Sequence, residues 1–288
     1  MTVTGKDFEF AFNRAYGTLK SWGSNGKTVL DFDPKTKAAI IPSFWRPKTD
    51  NDVPGAVPYW QRFGVDQLES QLRSFSVDSS NSDKVVLKSK TFITPPVLAW
   101  GWDCEIEYTV YLTGALSVNV TRLSPQGSIP DHVPRIGLNL YGSKTLEHVK
   151  WLGRGPGESY PDKKTSQRVG IWNVESISDL QVAYDVPQEN GNREDTRWVT
   201  LRDSKSPSVG LRATRLDGAH FSFLASNHRD TTIQDAKHPP DLFEDDAVFI
   251  RLDHKVAGVG SGACGPAVRE DLMVKTEEVT FGFLLEPL

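Results

Sequence analysis

Hydrophobic and polar residues alternate along most of this chain with a period of two, the spacing that turns one face of a β-strand toward a core and the other toward water. Phe8, Phe10 and Phe12 alternate with Glu9 and Ala11, and Cys104, Ile106, Tyr108, Val110 and Leu112 alternate with Glu105, Glu107, Thr109 and Tyr111. The pattern recurs at Leu116, Val118 and Val120, at Ile136, Leu138 and Leu140, at Phe221 and Phe223, and from Val279 to Phe283. Strands with one dry and one wet face pack as antiparallel sheets, face to face. The pattern therefore predicts an all-β fold. One helix is expected, from Tyr59 to about Phe75, because Trp60, Phe63, Leu68 and Leu72 fall on one side at helical spacing.

Three long stretches rich in Pro, Gly and charge interrupt the strands: Pro42 to Pro58, Gly153 to Gly170, and Pro187 to Arg197. Loops of this kind carry function more often than the elements they join. No internal repeat, low-complexity tract or linker divides the chain, so residues 1–288 are read as a single domain.

Composition narrows the partners. The 38% hydrophobic and 24% charged content is that of a globular protein. A net charge of −4 gives no basic footprint for nucleic acid or an anionic membrane surface. Cys104 and Cys264 lack CxxC spacing and read as reduced thiols. The N-terminus has no basic segment followed by an apolar one, and no apolar run reaches membrane-spanning length, which points to the cytoplasm. Eight Trp invite a sugar-binding reading, although aromatic residues also fit pleated sheets.

Four segments carry the most specific signal. Trp151 to Lys163, WLGRGPGESYPDK, resembles the GxGPxExYxDR signature of the final domain of family-2 β-galactosidases. It is not a phosphate loop, since it lacks a GK[ST] ending and Pro156 removes a backbone donor. Phe44 to Asp52, FWRPKTDND, is similar to the family's FxRAPxDND segment, and Pro187 to Arg193, PQENGNR, to its ENG loop. Gly258 to Pro266, GVGSGACGP, is similar to its glycine-rich segment near the C-terminus. The four occur in the family's order and, with the strands around them, cover about residues 5 to 285.

The resemblance implies a galactose mutarotase-like supersandwich of two large antiparallel sheets. It also implies that the chemistry lies elsewhere, because in the family a TIM barrel, which no segment here matches, carries two catalytic glutamates and most galactose contacts. Magnesium or sodium in the family is held mainly by that barrel, so no cofactor is expected here. The final domain closes over the barrel mouth and supplies a Trp to the galactose pocket from the segment matching Gly258 to Pro266. Cys264 stands there in this chain, as it does in the fungal branch, and a thiol offers no aromatic face. The residues the resemblance places near substrate are Cys264, Asp50, Asn51, Asp52, Trp45, Arg46, Glu158 and Tyr160.

Residue chemistry alone leaves other readings open. Retaining glycoside hydrolysis needs two carboxylates about 5 Å apart, and Asp50 with Asp52, Glu158 with Asp162, or Glu189 with Glu194 are candidates. Acid–base chemistry on a sugar would use a His with a carboxylate. The candidates are His220, His228, His238 and His254, with His228 near Asp230 and His254 beside Asp253. The Asp50-Asn51-Asp52 cluster resembles part of a calcium loop but lacks the Gly and distal Glu.

Three functions follow as expectations: a small chain that completes a separate β-galactosidase barrel and is inactive alone; a stand-alone mutarotase-like enzyme; or a carbohydrate-binding module using Trp45, Trp100, Trp102 and Trp172. The expected partners are a cognate catalytic chain or a second copy, together with a galactoside.

Overall fold

A computed structural model describes residues 1–288. Two nine-stranded antiparallel sheets face each other. The first runs Thr2–Thr4, Phe8–Asn13, Thr18–Ser24, Lys27–Leu30, Arg135–Ser143, Ala247–Val256, Phe221–Ser226 and Arg193–Thr196, with Ile40–Ser43 also paired to Arg135–Ser143. The second runs Arg168–Val174, His148–Gly155, Trp198–Arg202, Gly210–Arg215, Val279–Pro287, Leu116–Gly127, Trp100–Tyr111, Lys84–Thr94 and Glu69–Asp78. A two-stranded ribbon, His132–Val133 with Val274–Lys275, stands apart. These are the face-to-face antiparallel sheets that the alternation predicts, in the supersandwich arrangement that the resemblance implies. No helix is long and apolar enough to cross a membrane.

The alternating residues meet between the sheets. Phe10, Phe12, Tyr108, Val118, Val120, Phe223 and Phe283 are buried. Aromatic edges lock one sheet to the other: Phe12 on Tyr108 at 5.6 Å, Trp151 on Phe223 at 5.6 Å and Phe221 on Phe283 at 5.3 Å between ring centroids. Contacts of this geometry add about 0.5–1.5 kcal/mol each beyond the area they bury. The alternation fails at Thr109, which is buried, and at Leu112, which is 67% exposed because its strand has already ended at Tyr111.

The expected helix from Tyr59 to Phe75 is corrected. The helix spans Ala56–Arg62; Gly64 then turns left-handed (φ 63°), a single 3₁₀ turn covers Val65–Gln67, and an edge strand occupies Glu69–Asp78. A register shift between Leu72 and Ser74 places Leu72 and Phe75 on the same face of that strand. The bulge converts a period of two into a spacing of three, which imitates a helix in the sequence. A second short helix, Asp230–Asp235, was not expected.

Candidate functional site

The four motif loops gather at one end of the sandwich, where each is held by the others. The segment Gly258 to Pro266 contains no strand or helix; turns bond part of its backbone internally, and other groups take partners from outside. Asp162 supplies two: its Oδ1 accepts from the Val259 N–H at 3.0 Å and its Oδ2 from the Gly260 N–H at 2.7 Å. Asn51 supplies two more, donating to the Gly260 carbonyl at 3.0 Å and accepting from the Ala263 N–H at 3.2 Å. The approach is close enough to require glycine. A Cβ on Gly258 would stand 2.6 Å from the Asp162 carboxylate, and one on Gly262 would stand 2.6 Å from the Asn51 carbonyl. At the tip, Cys264 is exposed.

Beneath the tip, Arg46 is fully buried. Its guanidinium donates to the Ala257 carbonyl at 2.8 Å, the Gly258 carbonyl at 3.0 Å and Asp52 Oδ1 at 2.8 Å, and it lies over the Trp60 ring. Asp52 also accepts from the Thr49 N–H at 3.0 Å. Asp50 is tied instead to Gln188 of the 187–193 loop by two 3.2 Å hydrogen bonds. A cavity of about 360 Å³ opens between the helix and this segment, with Tyr59, Trp60, His132, Val268 and Met273 in its wall. His132 accepts there from Trp60 Nε1 at 3.1 Å, and burial holds its imidazole below the ordinary value.

Glu158 accepts from Lys163 at 2.6 Å, Tyr184 at 2.7 Å and the Gly191 N–H at 3.0 Å. Burial pushes its carboxyl upward, but these bonds outweigh burial and hold it below the ordinary Glu value. Tyr160 is buried with its hydroxyl unpartnered in the protein, and burial drives its pKa well up.

Every candidate carboxylate pair is therefore already engaged. Asp52 binds Arg46, Asp50 binds Gln188, Glu158 binds Lys163 and Tyr184, and Asp162 caps the 259–260 backbone. Glu189 pairs with the buried Arg135, and Glu194 is bonded by Asn192, Ser222 and Lys164. Asp50, Asn51 and Asp52 all hold protein partners, and no cluster of three or more His, Cys, Asp or Glu side chains is placed to hold a metal ion.

Nor do the histidines form acid–base pairs of the expected kind. Arg215 can only donate, so His254 Nδ1 accepts from it at 2.8 Å; the ring also stacks on Phe281. Burial and the neighbouring Arg215 cation lower its pKa to about 4, leaving a neutral ring whose Nδ1 is in use. His228 Nδ1 is bonded to the Phe243 carbonyl, while Asp230 pairs with Arg251. The close His–carboxylate approaches are His148 with Glu175 and His238 with Asp241, each with an exposed acid. His220 is exposed. The four Trp expected on a binding surface differ in exposure. Trp100 and Trp102 are in the core; Trp45 and Trp172 are half-buried, with their N–H groups on Gln234 and the Gly153 carbonyl.

Sequence reasoning missed Arg135 and Arg251, and took Asp253 only as the acid beside His254. Arg251 and Asp253 alternate with Ile250 and Leu252, so they lie on the outer face of the first sheet, yet all are buried because the motif loops fold over that face. The available signal was an Arg and an Asp set two apart in the stretch Ala247 to Asp253, whose other residues are all apolar. Neither Asp253 oxygen has a hydrogen bond, Arg135 stands 3.6 Å away, and burial lifts the carboxyl to about 7.

Comparison with known proteins finds both sequence relatives and structural neighbours. A β-galactosidase from Kluyveromyces lactis is 32% identical over 98% of this chain and 26% of its own length, and one from Pseudoalteromonas haloplanktis is 26% identical over 99% and 26%. The chain thus spans about a quarter of the length of the curated relatives it matches. Among solved structures, galactose 1-epimerase from Lactobacillus acidophilus is 11% identical with a TM-score of 0.44, covering 100% of this chain and 97% of that one. The family described as the β-galactosidase small chain matches residues 4–285, and the chain belongs to that family.

Proposed function

We propose that this chain completes the galactoside site of a separate β-galactosidase catalytic chain in the cytoplasm and turns over no substrate alone. The observation that carries this reading is the 258–266 segment: Asp162 and Asn51 fix its backbone from two other motif loops while Cys264 stands exposed at its tip. Rigid support beneath an exposed tip suits a group offered to a partner's pocket. The engagement of every candidate carboxylate supports the second half of the proposal, since none is free to act as nucleophile or acid. Two unpaired cysteines suit a reducing compartment.

The test is turnover of a chromogenic galactoside by the purified chain, with and without its cognate catalytic chain. Activity that needs both chains supports the reading. Robust turnover by this chain alone sinks it.

A further inference from the structure

A second cavity, of about 190 Å³, opens above strands Arg135–Ser143 and Ala247–Val256 of the first sheet. It shares no lining residue with the cavity under the 258–266 segment. At about 30 Å³ for each water's share of the liquid, it has room for about six waters, the scale of one sugar ring.

Three side chains bring polar atoms to this space that find no hydrogen-bond partner in the protein: Oδ1 of Asp66, Oδ1 of Asn139, and Nε and Nη1 of Arg251. Arg251 is 2% exposed and uses only Nη2, on Asp230. A buried guanidinium N–H without an acceptor is costly, so these atoms favour a ligand that supplies one.

Charge around the cavity is balanced. Lys35, Arg229 and Arg251 stand with Asp33, Asp66 and Asp230, and Arg229 is committed to Asp33 by two 3.0 Å hydrogen bonds. A charged ligand would upset that balance. The unpaired atoms call for a neutral molecule that both donates and accepts: carboxylate and amide oxygens accept hydroxyl protons, and guanidinium N–H groups donate to hydroxyl oxygens. An apolar surface completes the wall. Trp45 lies along it, its indole fixed by a 2.8 Å bond from Nε1 to Gln234, and flat rings suit the apolar face of a pyranose.

We propose that this cavity binds a neutral monosaccharide unit, held by Asp66, Asn139 and Arg251 beside Trp45, at a site separate from the 258–266 segment. The site positions a sugar; no acid–base pair faces it.

The experiment is calorimetry and ligand-observed NMR on the full chain with D-galactose, D-glucose and the anionic D-galacturonate. It compares the natural sequence with Asn139→Leu, Asp66→Ala and Cys264→Ala. At least one neutral hexose is expected to bind saturably in the millimolar range. Its affinity should fall at least about tenfold in Asn139→Leu and in Asp66→Ala, and stay unchanged in Cys264→Ala. Should Asn139→Leu fail to fold, Asp66→Ala on its short 3₁₀ turn still reads the site, as does sugar-dependent hydrogen-exchange protection of Ala247–Val256 in the natural chain. Flat titrations to about 50 mM overturn the proposal. So do affinity that survives both cavity variants, loss of affinity in Cys264→Ala, or tighter binding of galacturonate than of the neutral sugars. Complementation of a catalytic chain does not read this cavity, so the two proposals fail independently.

Discussion

Asp162 and Gly260 lie 98 residues apart in sequence, yet the Asp162 carboxylate accepts the Gly260 N–H at 2.7 Å while its other oxygen takes the preceding N–H. A hydrogen bond to a charged group contributes about 1.5–3 kcal/mol when shielded, and less here because Asp162 is exposed. Asp162→Ala is expected to cost only about 1 kcal/mol of stability. Complemented galactosidase turnover should fall about tenfold or more as the tip loses its position. Paired thermal unfolding and complementation assays check this; unchanged turnover with full folding would show that the tip needs no such support.

The buried ion cluster predicts an asymmetry. Arg135→Ala strands Glu189 without its partner and is expected to destabilise by about 3–5 kcal/mol. Asp253→Asn should cost less than about 1 kcal/mol, because burial already lifts that carboxyl to about 7 and neither oxygen is hydrogen-bonded. Urea unfolding of the two variants at neutral pH distinguishes them, and equal losses would contradict the assignment.

His254 makes a contribution to stability that is lost on mild acidification, opposite in sign to that of Asp253, whose carboxyl is lifted to about 7 in the folded chain. The folded His254 imidazole takes its proton only near pH 4, whereas the unfolded ring does so near 6.5. Between those values the unfolded chain binds more protons, so stability is full above about 6.5 and is lost as pH falls toward 4. Allowing for partial exposure of the ring, the loss is about 1–2 kcal/mol. Glu158, whose carboxyl is held low, adds a further loss below 4.5 by the same linkage. From pH 7 to 4 the natural chain should lose unfolding free energy relative to His254→Gln by the amount the ring contributes; a constant difference between the two would assign the effect to other groups.

The two thiols should react differently. Burial pushes Cys104 up to about 12, while Cys264 is exposed. Maleimide at neutral pH is expected to label one cysteine per native chain and two in denaturant, as read by intact mass. Addition of the catalytic chain should protect Cys264. Undiminished labelling in an active complex would place the tip outside the shared site.

Strands were legible in the sequence wherever one face met the core and the other met water, as at Phe10 and Phe12 or at Val118 and Val120. The edge strand Glu69–Asp78 was not. Its side chains are mostly exposed, and the register shift beside Ser74 gave Leu72 and Phe75 a helical spacing. The motif segments were legible as a set, and Asp162 was singled out as a candidate carboxylate. Its target, the 259–260 backbone, was hidden by 98 residues of separation. Arg135 and Arg251 escaped notice, and Asp253 was read only beside His254, because polar residues on an outer face look solvated until loops from distant parts of the chain are known to cover them.

Those covering contacts have a kinetic meaning. Arg46 binds the Ala257 carbonyl 211 residues away, and Asn51 binds the Gly260 carbonyl 209 residues away. Closing spans of that length costs chain entropy before any contact can form, so long-range contacts slow folding. The end of the sandwich that bears Cys264 should therefore assemble last and open first, and the tip acquires its shape only after both sheets have formed.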